Sequence, residues 1–348
     1  MASNHGGRTT PVASTVSCLE DSAETWDRLV QSAATCDPFQ TRAWLAAEQD
    51  CHGYHVSTVI SSEGNQSIAG QAVISKPFPA GLMGHEAIGG PVLAAGVPAS
   101  ACGTVLDDFS SSFRGFFTSV RPTAPHDLDA KLQGDGYRSS SLHTVVVDLR
   151  PTEEELWESI SGNARTGVRK GKKASVEVGE SDDWDTWSAF HYLQAAHAAA
   201  HDIDGLTQDQ CRYYCDQLQP AGACKLFTAY VDGDVGAAML FILGKATMRY
   251  FIGCSRPEAL RSSPNDLLMW EAIRWAQREG IEWLDLYDTD PRPDSPLAGI
   301  HKFKSKWGGH ELDRPYYIRG RLYHWLRELK RKSAGRHPIL RALGIAGG

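Results

Sequence analysis

Three lysines alternate in Lys302-Phe303-Lys304-Ser305-Lys306, near the end of the chain. On a β-strand, where side chains point to opposite faces in turn, all three would share one face. That arrangement suits an anion site, because a lysine ammonium stabilises developing negative charge or binds phosphate as a point charge. Arg165, Arg169, Lys170, Lys172 and Lys173 form a second cationic group. Near a helix end they would meet the phosphates of a nucleic acid or a nucleotide-linked molecule; the alternative is an exposed helix face. Proton acceptors are available in His201, Asp202 and Asp204, which follow a segment bearing His197, and in Asp285 and Asp288. A histidine titrates near neutrality and can take the proton of an attacking amine. An acid at the end of a strand, as in Asp285-Leu286-Tyr287-Asp288, would bind a cationic amine or deprotonate it. Tyr250, Asn265, Tyr287, Phe303 and Lys302 are the candidates for lining a substrate site, with Phe303 as a wall and Lys306 on the phosphate side.

The elements that would position these residues alternate in type. Helices are expected at 24–30, 42–49, 105–119, 127–132, 151–160, 182–201, 207–218 and 265–279. Strands are expected at 54–60, 67–75, 143–148, 175–178, 225–231, 235–243, 247–253 and 281–287, from apolar runs bounded by turn residues. Thr207 and Gln210 suit a capping box, and Asp232-Gly233-Asp234 signals a hairpin. The glycine-rich stretch from Gly81 to Pro91 gives no clear element. Strands, a hairpin, a helix and a further strand fit an α/β (α+β) architecture with mixed, mostly antiparallel sheets flanked by helices. The natural cut between two domains lies near Val145.

At 348 residues, 42% of them hydrophobic and 22% charged, the chain can build two cores of ordinary size. It has no run of eighteen apolar residues, so no membrane span is expected. The polar start, Met1 to Arg8, lacks the apolar stretch of a secretory signal, which points to a cytoplasmic protein. The eight cysteines show no CxxC spacing; Cys211 and Cys215 read as small apolar side chains, and no metal site is expected. The net charge of −7 hides an asymmetry: from Lys302 onward twelve Lys and Arg face three Asp and Glu. This tail, interleaved with Trp307, Tyr316, Tyr317, Tyr323 and Trp325, would suit a phosphate-rich partner such as tRNA; the alternative is a terminal helix with a solvated basic face.

Four ordered passages carry a family resemblance. They are His143-Thr-Val-Val-Val-Asp148 with Asn163-Ala-Arg165-Thr-Gly-Val-Arg169-Lys170; Leu226-Phe-Thr-Ala229 with Asp232-Gly-Asp-Val-Gly-Ala-Ala238; Tyr250-Phe-Ile-Gly-Cys254 with Pro264-Asn265 and Asp285-Leu286; and Gly299-Ile-His-Lys-Phe303-Lys304-Ser-Lys-Trp307-Gly308-Gly309. Across 143–317 this order and spacing resembles the Fem/FemX aminoacyltransferases and their acetyltransferase-like (GNAT) relatives. The first half is similar only around Phe39 to Trp44. The resemblance implies two tandem GNAT-like domains, 1–145 and 146–315, with a cleft between them and with 316–348 returning to the first. It implies aminoacyl-tRNA as co-substrate without a further cofactor, and an amine acceptor on a peptidoglycan precursor or a small specialised metabolite, as in antibiotic biosynthesis.

The resemblance also implies a role for Lys304, which matches the position where the family places a lysine close to the reacting centre. Two departures stand out. Many relatives carry an arginine near His201, and many place glycines after the aspartate where this chain has Tyr287 and Asp288. The family's long helical arm is missing. The acetyltransferase pyrophosphate loop, [Arg/Gln]-x-x-Gly-x-[Gly/Ala], is not evident, which weakens coenzyme A as donor. An acyl thioester on coenzyme A or a carrier protein, and a non-catalytic RNA-binding module, are the alternative readings.

Overall fold

A computed structural model describes residues 12–122, 128–180, 182–201, 203–295 and 297–332. The first half contains β1 (Val12–Cys18), α1 (Leu19–Ser32), α2 (Arg42–His52), β2 (His55–Glu63), β3 (Gln66–Phe78), β4 (Leu82–Ile88), β5 (Val92–Leu93), α3 (Ala101–Ser112), β6 (Phe117–Arg121), α4 (Asp129–Gly134) and β7 (Arg138–Asp148). The second half continues with α5 (Glu153–Ser159), α6 (Gly162–Lys173), β8 (Glu177–Glu180), α7 (Trp184–His201) and α8 (Gln208–Tyr213), which runs into a π-helical turn at Tyr214–Leu218. Then come β9 (Cys224–Val231), β10 (Asp234–Leu243), β11 (Thr247–Ser255), α9 (Pro264–Arg278), β12 (Trp283–Asp285), α10 (Ala298–Lys304), β13 (His310–Arg319) and α11 (Arg321–Lys332).

The strands form one sheet in the order β1-β2-β3-β4-β6-β13-β7-β12-β11-β10-β9-β8, with β5 on β3. It is antiparallel except where β4 meets β6 and β11 meets β12. One parallel pair in each half, each joined through a helix, gives the halves the same grammar. Val145 lies inside β7, and the sheet runs on through it. β13 pairs with β7 along His310–Ile318 and with β6 through Tyr317, Ile318 and Arg319, so the C-terminal strand is shared between the halves.

The capping box expected at Thr207 forms, and two caps that the sequence reading does not name act in the same way. Thr152 and Thr207 each close a capping box, with Glu155 and Gln210 respectively, and Ser161 caps α6. Two cores fill the second half. One packs α9, Leu156 and Trp307 against one face of the sheet. The other packs Trp187, Phe190, Cys211 and Cys215 against Phe39 and Trp44 of the first half.

Four strands were not expected: β1, β4, β5 and β13; the helix expected at 105–119 ends at Ser112 as α3, and its last residues belong to β6. β4 hides in the glycine-rich stretch because Gly84 is selected by packing. A Cβ there would lie 2.4 Å from the Phe117 ring, so only glycine lets the ring cover the strand. β13 reads as polar because its first four residues are exposed and only Tyr316–Ile318 are buried. The converse correction concerns Lys302, Lys304 and Lys306. They do not alternate on a strand: α10 holds the first two, and Lys306 sits in the following 3-10 turn. Lys304 and Trp307, three residues apart, are buried, whereas Lys302 is exposed.

Candidate active site

β11 and β12 pair only over Thr247–Arg249 and Trp283–Asp285. β12 then ends while β11 runs on to Ser255, so the two parallel strands part and leave Tyr250–Ser255 as one wall of a cleft of about 940 Å³. Tyr287 and Asp288 follow β12 into the opposite wall, together with Phe303 and Lys304 of α10. Asn265, at the start of α9, closes one end. Gln194 and His197 of α7 and His52 of α2 extend the lining. Seven residues singled out from sequence therefore line one cavity: Asp204, Tyr250, Asn265, Tyr287, Asp288, Phe303 and Lys304.

Lys304 is only 5% exposed. Its Nζ donates to the carbonyl oxygens of Asp288 (2.7 Å) and Tyr287 (3.2 Å) and lies 5.4 Å from the centre of the Tyr250 ring. An ammonium has three N–H donors, so two carbonyls leave one for a ligand. Burial pulls its pKa down to about 8, although the Asp288 and Asp285 carboxylates oppose that fall. Asp288 is exposed at the rim. Desolvation by the cleft wall raises its carboxyl above the ordinary value, opposed by Lys304 and Arg121. Between them Tyr287 takes a left-handed φ of 55°, a conformation that costs a non-glycine residue about 1 kcal/mol.

The remaining wall is shaped by close packing. The Tyr250 ring meets Phe241 edge-on at 5.6 Å, and burial pushes its hydroxyl far above its usual pKa. A Cβ on Gly253 would fall 1.6 Å from the Tyr250 hydroxyl oxygen, so glycine is needed for the tyrosine to lie there. Asn265 Nδ2 donates to Ser255 Oγ at 3.3 Å, while its Oδ1 is buried and has no hydrogen-bond partner among the described residues. An unmatched buried acceptor at a cavity edge is a place for a ligand donor.

Behind the cleft lies a charge network whose first-half member sequence reading missed. Arg249 clamps Asp37 with two bonds of 2.7 and 2.6 Å and donates to Asp285 at 2.9 and 3.2 Å. Its guanidinium lies over both the Phe39 and Tyr287 rings, at 4.7 and 4.8 Å, in the corner where those two rings meet edge to face. Arg314, Thr144 and the Tyr287 N–H complete the bonds to Asp285. Burial alone would raise the Asp285 carboxyl, but Arg249 and Arg314 outweigh it and hold it far below the carboxylate range. Asp285 is therefore a structural anion and unsuited to accepting a proton. Asp37 lies two residues before Phe39 and has no role in the sequence reading. The signal available was an acid beside Pro38 and Phe39 in the one first-half passage that resembled the family.

Residues 159–305 match the acetyltransferase (GNAT) domain family. The crystal structure of FemX is 16% identical, with a TM-score of 0.71 over 84% of this chain and 95% of that one. The C-terminal domain (DUF2156) of a putative lysylphosphatidylglycerol synthetase from Agrobacterium fabrum is 13% identical, with a TM-score of 0.60 over 89% and 96%. The fold of this chain is a GNAT fold arranged as in FemX. A tandem GNAT protein from the clavulanic acid biosynthesis pathway is also similar, at 11% identity and a TM-score of 0.51 over 88% of this chain and 98% of that one. No curated protein sequence matches the chain. The domain match supports acyl transfer as the class of activity.

The other cations of this GNAT-fold chain are dispersed. Arg165 donates to the backbone carbonyls of Trp157, Glu158 and Ile160, tying α6 to the end of α5. Arg169 lies over the Trp157 ring at 5.4 Å. Lys172 is 3.8 Å from Glu271, and Lys306 pairs with Asp266 in the first turn of α9. Lys170 and Lys173 are exposed at the end of α6, and Lys302 is exposed on α10 away from the cleft lining. The side chain of His201, and Asp202 beside it, lie outside the described residues. So does the basic tail beyond residue 332. Among the described residues no helix is long and apolar enough to cross a membrane.

Proposed function

We propose that this protein transfers an aminoacyl group from aminoacyl-tRNA to an amine, forming an amide on a peptidoglycan precursor or a small specialised metabolite. The observation that carries the reading is Lys304: a buried ammonium whose third N–H is free, in the wall of a cleft between two parting strands. The amine nitrogen attacks the ester carbonyl, and the oxygen gains negative charge as the tetrahedral intermediate forms. The Lys304 ammonium, poorly solvated and already fixed by two carbonyls, stabilises that oxygen without reorganising. Asp288 receives the acceptor as its ammonium and takes the proton that must leave before the nitrogen can attack. Its raised pKa suits it to that exchange. The C–N bond then forms, the nitrogen of the tetrahedral intermediate gives up its second proton, and that proton passes to the ribose oxygen as the C–O bond to the tRNA ribose breaks. The ester arrives activated, so the reaction calls on no ATP and no metal at the carbonyl.

The choice of donor draws support from the FemX likeness in fold and from the character of the α9 N-terminus. A helix N-terminus is the natural seat for a pyrophosphate, but the first turn of α9 already carries Asp266 paired with Lys306. A carboxylate there disfavours a nucleotide diphosphate such as that of coenzyme A. The deciding experiment offers charged tRNA pools and candidate amines, with and without RNase, and follows aminoacylated product by mass spectrometry. Product that disappears with RNase is expected. RNase-insensitive product from an acyl thioester would replace the donor, and tRNA binding with no turnover from any donor would leave an RNA-binding module.

A further inference from the structure

His143 on β7, His301 on α10 and Glu311 on β13 converge in space, each presenting one ligand-type atom within 4.8 Å of the others. We infer that this cluster is a binding site for a borderline first-row divalent cation of the zinc type, and that the ion pins α10 to the central sheet. The donor set is two imidazoles and a carboxylate, the combination such ions favour over magnesium or calcium. His143 Nε2 is 3.3 Å from one Glu311 oxygen, and His301 Nε2 is 3.5 Å from the other. Ligands about 2.0–2.1 Å from a tetrahedral zinc ion stand roughly 3.4 Å apart, so both imidazole–carboxylate distances match a coordination shell, and the whole set, within 4.8 Å, closes on an ion by small side-chain rotations.

Three further observations point to an ion. His143 Nε2, the atom that faces Glu311, is buried and makes no aligned hydrogen bond among the described residues. The Nδ1 of His143 is 2.9 Å from Asp313. A carboxylate behind the imidazole fixes the tautomer, with Nδ1 protonated and the Nε2 lone pair turned toward the site, which is the usual support of a metal-bound histidine. Among the described residues the ion pairs of Glu311 and Asp313 are with these histidines and with no lysine or arginine, so a dication would balance the two carboxylates.

The ion would matter through position. His301 lies one helical turn before Lys304 on α10, and the backbone N–H of Thr289, beside Asp288, donates to the His143 carbonyl at 2.9 Å. None of the three ligands lines the main cleft, so the ion is a clamp for the wall that holds Lys304 and Asp288. The inference does not depend on the identity of the acyl donor.

The test is zinc binding by the full chain after chelation and dialysis, measured by calorimetry and metal analysis, with cobalt absorption reporting geometry. One equivalent of zinc is expected, with intense tetrahedral cobalt bands, a rise in Tm with zinc, and no rise with magnesium. His143→Ala and His301→Ala should each weaken binding at least tenfold. Glu311→Gln, at a half-exposed position that folding tolerates, should do the same, and Asp313→Asn should weaken it about 10- to 100-fold. His310→Ala, an exposed histidine outside the cluster, should bind as before. Failure of the chelated protein to take up zinc would overturn the site. So would binding that survives both His301→Ala and Glu311→Gln.

Discussion

At the scale of the residue, the cleft asks one lysine to remain charged in a poor solvent. Lys304→Ala should lower kcat by about a hundredfold or more, the usual cost of removing one oxyanion-type donor; near-normal turnover would take Lys304 out of the mechanism. The acidic partner acts on the other substrate. Asp288→Asn should raise the KM for the acceptor amine about tenfold or more, and unchanged kinetics at varied amine concentration would discard that role. The pH profile follows from the same pair. Lys304 is needed in its protonated form, and burial brings its pKa down to about 8. Activity should therefore be full below that value and fall as pH rises through it. Asp288 is needed ionised, and its pKa is raised, so the acid limb should appear above the ordinary aspartate range. A rate that climbs steadily through pH 8 to 10 would mean that the lysine works as a base.

At the scale of the element, the site exists because two parallel strands part. Their pairing stops at Arg249 and Asp285. The register of β10 against β11 also shifts at Phe241, so Phe251 has no partner there and β11 bends. Tyr250 occupies the first position beyond the last pair, and Gly253 makes room for its hydroxyl. Gly253→Ala should push the tyrosine out of place and cut transfer by tenfold or more, with little change in the circular dichroism of the folded chain. Unaltered activity would mean that the Tyr250 ring is not part of the working wall. Helical spacing around α10 carries a related lesson. The alternating lysines suggested a strand, but the chain coils into a helix that buries Lys304, leads into the buried Trp307 and half-buries Phe303, while Lys302 stays in solvent.

At the scale of the whole molecule, the halves share a sheet, a strand and a buried ion network. Arg249→Met would remove the guanidinium from Asp37 and leave Asp285 with one cation, Arg314, beside its bonds from Thr144 and the Tyr287 N–H. Breaking one side of such a buried pair costs about 3–5 kcal/mol, which should appear as a clear fall in Tm together with weakened transfer. An unchanged Tm would show that the network contributes no stability to the junction.

Much of this architecture is written along the chain. Capping boxes at Thr152 and Thr207, the hairpin at Asp232-Gly233-Asp234, and the ordered passages from 143 to 317 are local signals. They sufficed to anticipate the GNAT-like fold and the set Tyr250, Asn265, Tyr287, Asp288, Phe303 and Lys304, because a strand's end and a helix's apolar face are legible within a dozen residues. The clamp between Asp37 and Arg249 joins positions 212 apart, and His143, His301 and Glu311 come from three separate elements. Their meeting depends on strand order and on β13 threading between β6 and β7. The same folding withdraws Arg165 and Lys306 from a basic face that charge counting had assembled, since a side chain's partners are set by what packs beside it and not by its neighbours in sequence.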